Sequence, residues 1–241
     1  MNNPKPDTHQ PTSPSITVSL IKFDVRFQLK QGFYLVYALV SALYIVILFY
    51  IPFPVRSSVT AYLILSDTSI IGITFMGALV LLEKQQNILQ SLFVTPVRLE
   101  QYLWSKAVSL TLLALLASAL IAFVPGGLLS TWPVTLVAVA LSSLFFSFVG
   151  LGISASAQSL NDYLAGIMLG GLILCVPLVL YFYFPLLSLI FPINCVADLL
   201  LQSPGSVPIL RIAISCCILV GWIFIAYRFA FAQFNKHVIN K

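Results

Sequence analysis

Val108-Ser109-Leu110-Thr111-Leu112-Leu113-Ala114-Leu115-Leu116-Ala117-Ser118-Ala119-Leu120-Ile121-Ala122-Phe123-Val124 decides the fold class. No charged residue interrupts it, and apolar and polar positions do not alternate along it. A strand of a membrane barrel would alternate. A continuous apolar run of about 20 residues is what carries a helix across a hydrocarbon core of about 30 Å. The whole chain repeats the message: its 241 residues are 60% hydrophobic and 8% charged, with a mean hydropathy of +1.03. Soluble domains carry about 25% charged residues. The 12 Lys+Arg and 7 Asp+Glu here cannot cover a soluble surface of this size. The expected class is an all-α polytopic membrane protein in one bundle.

Working outward from that run, six spans are expected. They are Phe33–Ile51, stopped by Pro52 and Pro54; Leu63–Leu82; Ala107–Val124, stopped by Pro125-Gly126-Gly127; Pro133–Ala155; Tyr163–Phe184, stopped by Pro185; and Ile209–Phe229. The permease domain then covers 33–230, with a cytosolic tail at 231–241. The polar, proline-bearing residues 1–15 lack the features of a secretory signal and are expected to be a disordered cytosolic tail.

With the N-terminus inside, Lys5, Lys22, Arg26, Lys30, Lys84, Arg98, Lys106, Arg228, Lys236 and Lys241 fall on the inner side. Arg56 and Arg211 remain outside. Lys and Arg bias sets orientation, so a cell-membrane protein with both termini cytosolic is expected. The net charge of +5 comes from residues flanking apolar runs, which argues against nucleic acid as a partner.

Residues 16–32 place Ile16, Leu20, Phe23 and Phe27 at helical spacing, with Lys22, Arg26 and Lys30 on another face. That pattern predicts a basic amphipathic helix at the inner interface. Leu82-Glu83-Lys84-Gln85-Gln86-Asn87-Ile88-Leu89-Gln90-Ser91-Leu92-Phe93-Val94-Thr95-Pro96 is charged, amphipathic and set between two apolar runs. Ile88, Leu89, Leu92 and Phe93 cluster on one side of a helix, which Thr95-Pro96 breaks. Thr suits an N-cap and Pro the first helical position, so a new helix is expected from Pro96 through Arg98, Glu100, Trp104 and Lys106. Tyr102 and Trp104 suit the interface belt. Residues 185–201 are apolar but broken by Pro185 and Pro192, too short to span, and read as an outer re-entrant element that also holds Asn194.

Chemistry is sparse. His9 and His237 lie in terminal segments, and no phosphate loop, His-Glu-x-x-His or Gly-x-Ser-x-Gly occurs. No catalytic residue, cofactor site or metal site is expected. Cys175, Cys195, Cys216 and Cys217 have no metal-ligand spacing and suggest no disulfide. Asp67 is the one carboxylate inside a predicted span, expected a few residues below the outer surface as either a pathway-mouth group or a snorkelling one. Gly72, Gly77, Gly166, Gly170 and Gly171 offer small faces, read as sites of packing within the chain.

The layout resembles the type-2 ATP-binding-cassette (ABC) exporter permeases. The resemblance rests on Ser66-Asp67, Leu81-Leu82-Glu83-Lys84, Leu89-Gln90-Ser91-Leu92-Phe93-Val94-Thr95-Pro96 and Tyr102-Leu103-Trp104-Ser105-Lys106. Phe23-Asp24-Val25-Arg26-Phe27-Gln28-Leu29 and Gly32-Phe33-Tyr34 resemble the connecting helix of the drug-export branch, which includes fluoroquinolone exporters. Gln85-Gln86-Asn87 departs from the pattern. The resemblance implies a cytosolic ATPase subunit that holds ATP and Mg, a second permease copy or paralogue, and a small amphiphilic cargo, drug-like or lipid-like. It assigns ATPase coupling to Glu83, Lys84, Ile88, Leu89, Leu92, Phe93, Thr95 and Pro96, and places Lys22, Arg26 and Lys30 on the connecting helix. Asp67, Pro185, Pro192 and Asn194 fall at the outer mouth. Alternatives are a permease for haem-biogenesis, polysaccharide or peptide export, and an ATP-independent carrier or scaffold. The missing catalytic groups weigh against an intramembrane enzyme.

Overall fold

The computed structural model describes residues 14–86, 88, 97–124, 132–183, 190–201 and 209–239. Every regular element among them is helical. In chain order these are α1 (Pro14–Lys30), α2 (Phe33–Tyr50), α3 (Phe53–Ser66), a π-helical turn (Asp67–Ile71) and α4 (Gly72–Gln85). Then follow α5 (Leu99–Ala122), α6 (Trp132–Ser156), α7 (Leu160–Tyr183), α8 (Pro192–Leu201), α9 (Ile209–Phe234) and a terminal π turn (Asn235–Ile239). Five helical stretches among the described residues are long and apolar enough to cross a membrane: Phe33–Tyr50, Phe53–Gln85, Leu99–Ala122, Trp132–Ser156 and Leu210–His237.

Several boundaries differ from the sequence expectation, each for a local reason. Gly32 has φ 79°, the left-handed region that glycine enters without penalty, and it turns the chain between α1 and α2. Pro52 and Pro54 stop α2 but also open the next helix, because proline lacks only an N–H that a first helical turn leaves unbonded. That helix therefore starts at Phe53 instead of Leu63 and continues to Gln85 through the π turn. The Arg56 guanidinium donates to the Ile51 carbonyl at 3.0 Å and ties the α2–α3 corner. Helix α5 starts at Leu99, not Pro96: Val97 and Arg98 are non-helical, and the Gln101 side chain accepts from the Arg98 amide at 3.0 Å. Helix α9 runs past Phe229 to Phe234, so the expected tail begins as helix.

Helix α6 is the centre of the bundle, packed on α4, α5, α8 and α9. Two buried clusters stack along it. One gathers Phe27 and Phe33 with Met76, Leu79, Leu103, Phe145, Phe148, Tyr163 and Phe234. The other gathers Leu48, Ile64, Ile121, Val139 and Leu219 around α8. Helix α8 is too short to span, as expected, and its residues Pro192 to Leu200 are all buried against α3, α6, α7 and α9. Its Asn194 amide donates to the Pro177 carbonyl of α7 at 2.7 Å, next to the proline that interrupts that helix's hydrogen bonding. Its Asp198 accepts from Arg211 at 2.6 and 3.1 Å. The non-spanning backbone is thus covered by protein, as apolar surroundings require.

Cys195 on α8 is fully enclosed, and burial, with the Asp198 charge adding, pushes its thiol up to about 12. The reactive species is the thiolate. Cys195 should therefore stay unmodified by a water-soluble maleimide in native micelles and react only after denaturation, as read by peptide mass.

Candidate functional site

Three charged side chains from three separate helices meet at the end of the bundle that carries α1. Lys106 of α5 pairs with both Asp24 of α1 and Glu83 of α4. All three are at most 2% exposed. The remaining carboxylate oxygens are also met: Ser105 donates to Asp24 Oδ2 at 2.6 Å and Tyr102 to Glu83 Oε2 at 2.9 Å. One turn on, Gln28 Nε2 donates to Ser109 Oγ at 2.9 Å. Burial of an ion is costly unless it is paired and its remaining lone pairs are bonded. Each of the four carboxylate oxygens has a donor here, so the junction is internally satisfied. It locks α1, α4 and α5 together at both flanks of the 86–98 connection.

Lys84, next in sequence, points elsewhere. Its Nζ donates to the carbonyls of Ser154, Ala155 and Ala157 at 2.8, 2.9 and 3.0 Å. A cation at a helix C-terminus satisfies the last carbonyls and the negative end of the dipole. Lys84 thereby fastens the end of α4 to the end of α6.

The sequence places Glu83 and Lys84 on the docking hairpin, yet both side chains are used within the chain. Ile88 is half-buried beside the junction, in a small crevice with Leu20 and Phe23. Leu89, Leu92, Phe93, Thr95, Pro96 and Pro185 lie outside the described residues. Lys22, Arg26 and Lys30 are exposed on α1, as their spacing predicts. The opposite face of α1 is not simply apolar. It buries Asp24 and Gln28 with Phe27, while Phe23 and Leu29 stay largely exposed, because Asp24 finds Lys106. Tyr102, expected at the interface, is buried in the junction; Trp104 is partly exposed and packs edge-on to Phe148. Sequence reasoning missed that Lys106 and Tyr102 bond Glu83, and that Lys106 and Ser105 bond Asp24. The signal available was that topology puts Asp24, Glu83 and Lys106 in one layer.

Asp67 lies about midway along Phe53–Gln85, at the start of the π turn, and is 1% exposed. The expectation of a position near the outer surface rested on a helix start at Leu63, whereas the helix starts at Phe53. Pro192 and Asn194 are buried in α8. A lateral groove of about 360 Å³ opens between α2 and α5, lined by Tyr34, Tyr37, Ser41, Leu113, Leu116 and Leu120 among others. A second groove of about 290 Å³ between α6, α7 and α9 is lined by Phe145, Ile153, Trp222 and Phe229 with small residues.

Residues 15–241, nearly the whole chain, match the family of fluoroquinolones export permease proteins. Two fluoroquinolones export permease proteins from two strains of Mycobacterium tuberculosis are each 26% identical to it over 165 residues, 68% of this chain and 70% of theirs. The apolar helices and a match of this extent agree, and the chain belongs to the fluoroquinolones export permease protein family, a group of multi-pass membrane permeases of exporters.

Proposed function

We propose that this chain is the membrane subunit of an ABC exporter, moving a small amphiphilic compound with ATP hydrolysed on a separate subunit. The chain itself holds no nucleotide; ATP and Mg belong to the partner ATPase. Helix α7, 24 residues long, serves as the sixth span beside the five above, and both termini are cytosolic. A second permease copy or paralogue completes the pathway. Only 22% of the residues in the apolar windows of Phe33–Tyr50 and Leu210–His237 are buried, leaving apolar flanks for lipid and for that second copy. The name of the relatives supports this cargo class, since fluoroquinolones are small and amphiphilic.

The observation that carries this reading is the ionic junction. A driven exporter needs a firm connection between the segment an ATPase pushes and the helices that move. Here the 86–98 connection is flanked by Glu83 at one end and by Tyr102, Ser105 and Lys106 at the other, all joined to α1 through Asp24. Lys84 adds α6. Force applied between residues 86 and 98 reaches α1, α4, α5 and α6 through short polar contacts instead of side chains free to swing.

Leu89→Glu and Leu92→Glu test the docking surface. Each should fold normally and lose co-purification with the ATPase, because a charge on the apolar side of the hairpin cannot be buried unpaired. Unchanged complex formation by both variants would remove the hairpin from the docking surface.

A further inference from the structure

The end of the bundle that carries α1 has a strongly basic surface. Among the described residues there, Lys22, Arg26, Lys30, Arg98, Arg228 and Lys236 are exposed, against two exposed acids, Glu100 and Asp162. Orientation in a membrane asks for cations on one side. It does not ask that half of them share one stripe of one helix, as Lys22, Arg26 and Lys30 do. Each step of four residues overshoots a full helical turn by about 40°, so the three lie within an arc of about 80°. None of them pairs with an acid among the described residues.

The rest of α1 fixes which way that stripe faces. Asp24, the one acid of the helix, is buried with Phe27 and Gln28 on the opposite face, where Lys106 and Ser109 hold it and Gln28. The ionic junction therefore sets the rotation of α1 and turns the cations outward. Beside them, Val18 and Leu29 are exposed on one flank and Phe23 on the other. Unpaired cations bordered by exposed apolar side chains suit the layer where headgroups meet acyl chains. Position in the chain agrees. Lys30 closes α1, the Gly32 turn follows, and Phe33 opens a membrane-crossing helix that exposes Leu35, Leu39, Leu43 and Phe49.

We propose that the outward stripe of α1 is a docking surface for anionic phospholipid headgroups, which hold this helix against the bundle. Charge and apolarity agree on the occupant. Three unpaired cations match phosphate, and the exposed Val18, Phe23 and Leu29 match acyl chains. A soluble anion meets only the first demand, and a zwitterionic lipid brings no net charge. The lipid bears on the coupling segment from behind: the stripe is on one side of α1, and Asp24, joined through Lys106 to Glu83, is on the other. The surface thus adds a partner distinct from cargo, ATPase and second permease copy, and it requires none of them.

The test uses the full chain in uncharged maltoside micelles, titrated with dioleoyl phosphatidylglycerol or dioleoyl phosphatidylcholine, and native mass spectrometry counts the bound lipid. One cation beside an anionic surface is worth about fivefold in affinity. Three, partly screened by salt, should make wild type prefer phosphatidylglycerol by about tenfold or more. Lys22→Gln, Arg26→Gln and Lys30→Gln together should erase that preference. In lipid-free micelles this variant should melt as wild type does, because the three side chains pair with no acid in the fold. Lys22→Arg with Lys30→Arg keeps the charge and should keep the preference. Arg98→Gln with Arg228→Gln removes exposed cations of the same end and should leave most of it. Bound phosphatidylglycerol should also slow chymotryptic cleavage at Phe23 and Leu29 in wild type and not in the triple Gln variant. A triple variant that retains the full preference overturns the surface, as does wild type without one, or cleavage of α1 that the lipid leaves unchanged. Soluble glycerol phosphate that displaces the lipid at equal charge would make the stripe a general anion site and overturn the lipid. Neither nucleotide nor ATPase enters the measurement, so its failure leaves the ATPase partnership standing.

Discussion

Lys106→Met should lower the stability of the folded chain by about 3–5 kcal/mol, the cost of removing one partner from a buried ion pair. The variant leaves Asp24 and Glu83, each at most 2% exposed, with no cation between them. Two carboxylates that met the same Nζ are close enough to repel in a medium of low dielectric. Ser105 and Tyr102 still donate one bond each, which does not neutralise the charges. The triple variant Asp24→Asn, Glu83→Gln, Lys106→Met should recover most of the loss. Its amide oxygens keep accepting from Ser105 and Tyr102, and no unpaired charge is left buried. Chemical unfolding in micelles reads both, and the two results together separate a charge effect from loss of lysine packing. Lys106→Met as stable as wild type would mean that the junction does not hold α1 to the bundle. Limited proteolysis of α1 should follow the same order, fastest in the single variant.

Gly77→Ala carries the second large effect. A Cβ built there would lie 1.8 Å from Tyr163 Cζ and 1.9 Å from Cε1. The ring cannot step aside. Tyr163 is fully buried, and its hydroxyl donates to the Ile73 carbonyl at 2.6 Å, one turn from Gly77 on the same face of α4. The methyl must push α4 and α7 apart or break that bond. Overpacking alone costs about 1–3 kcal/mol, and the broken bond leaves a buried hydroxyl unmet for roughly 1–3 kcal/mol more. Residues in contact are not additive, so Gly77→Ala with Tyr163→Leu should be less damaging than the sum of the two singles. Strict additivity in the unfolding energies would contradict the contact. Gly171→Ala is the control: nothing lies within 4 Å of its added Cβ, and it should be nearly silent.

Glycine shows how far sequence reading reaches. Small residues in an apolar helix announce close packing without naming the partner. Gly77 and Gly166 are indeed packed against Tyr163 and Ile153, while Gly72 and Gly171 face open space. Spans were legible because apolar length is a property of sequence alone. Boundaries near proline were not, since Pro52 and Pro54 close one helix and open another with the same chemistry. The start of α5 was set by Gln101 reaching back to Arg98, a signal that competed with the stronger-looking Thr95-Pro96. The junction was half legible. Counting sides put Asp24, Glu83 and Lys106 at one boundary, but their meeting depends on the rotation of α1, which the reading of α1 as an interfacial helix with an apolar face concealed. Asp67 was seen as unusual, but the start of its helix was read too late, because ten residues of helix before Leu63 carry Arg56 and several hydroxyls and lower the local hydropathy.

The central claim is that this permease is driven by ATP on a separate subunit, and one measurement meets it directly. The chain and its partner ATPase are placed in proteoliposomes, and uptake of a fluorescent fluoroquinolone is followed with ATP, without ATP and with each subunit alone. The account predicts uptake only with both subunits and ATP, lost when Leu92 is replaced by Glu. Equal uptake by this chain alone, with no ATPase and no ATP, would contradict it and make the protein an ATP-independent carrier.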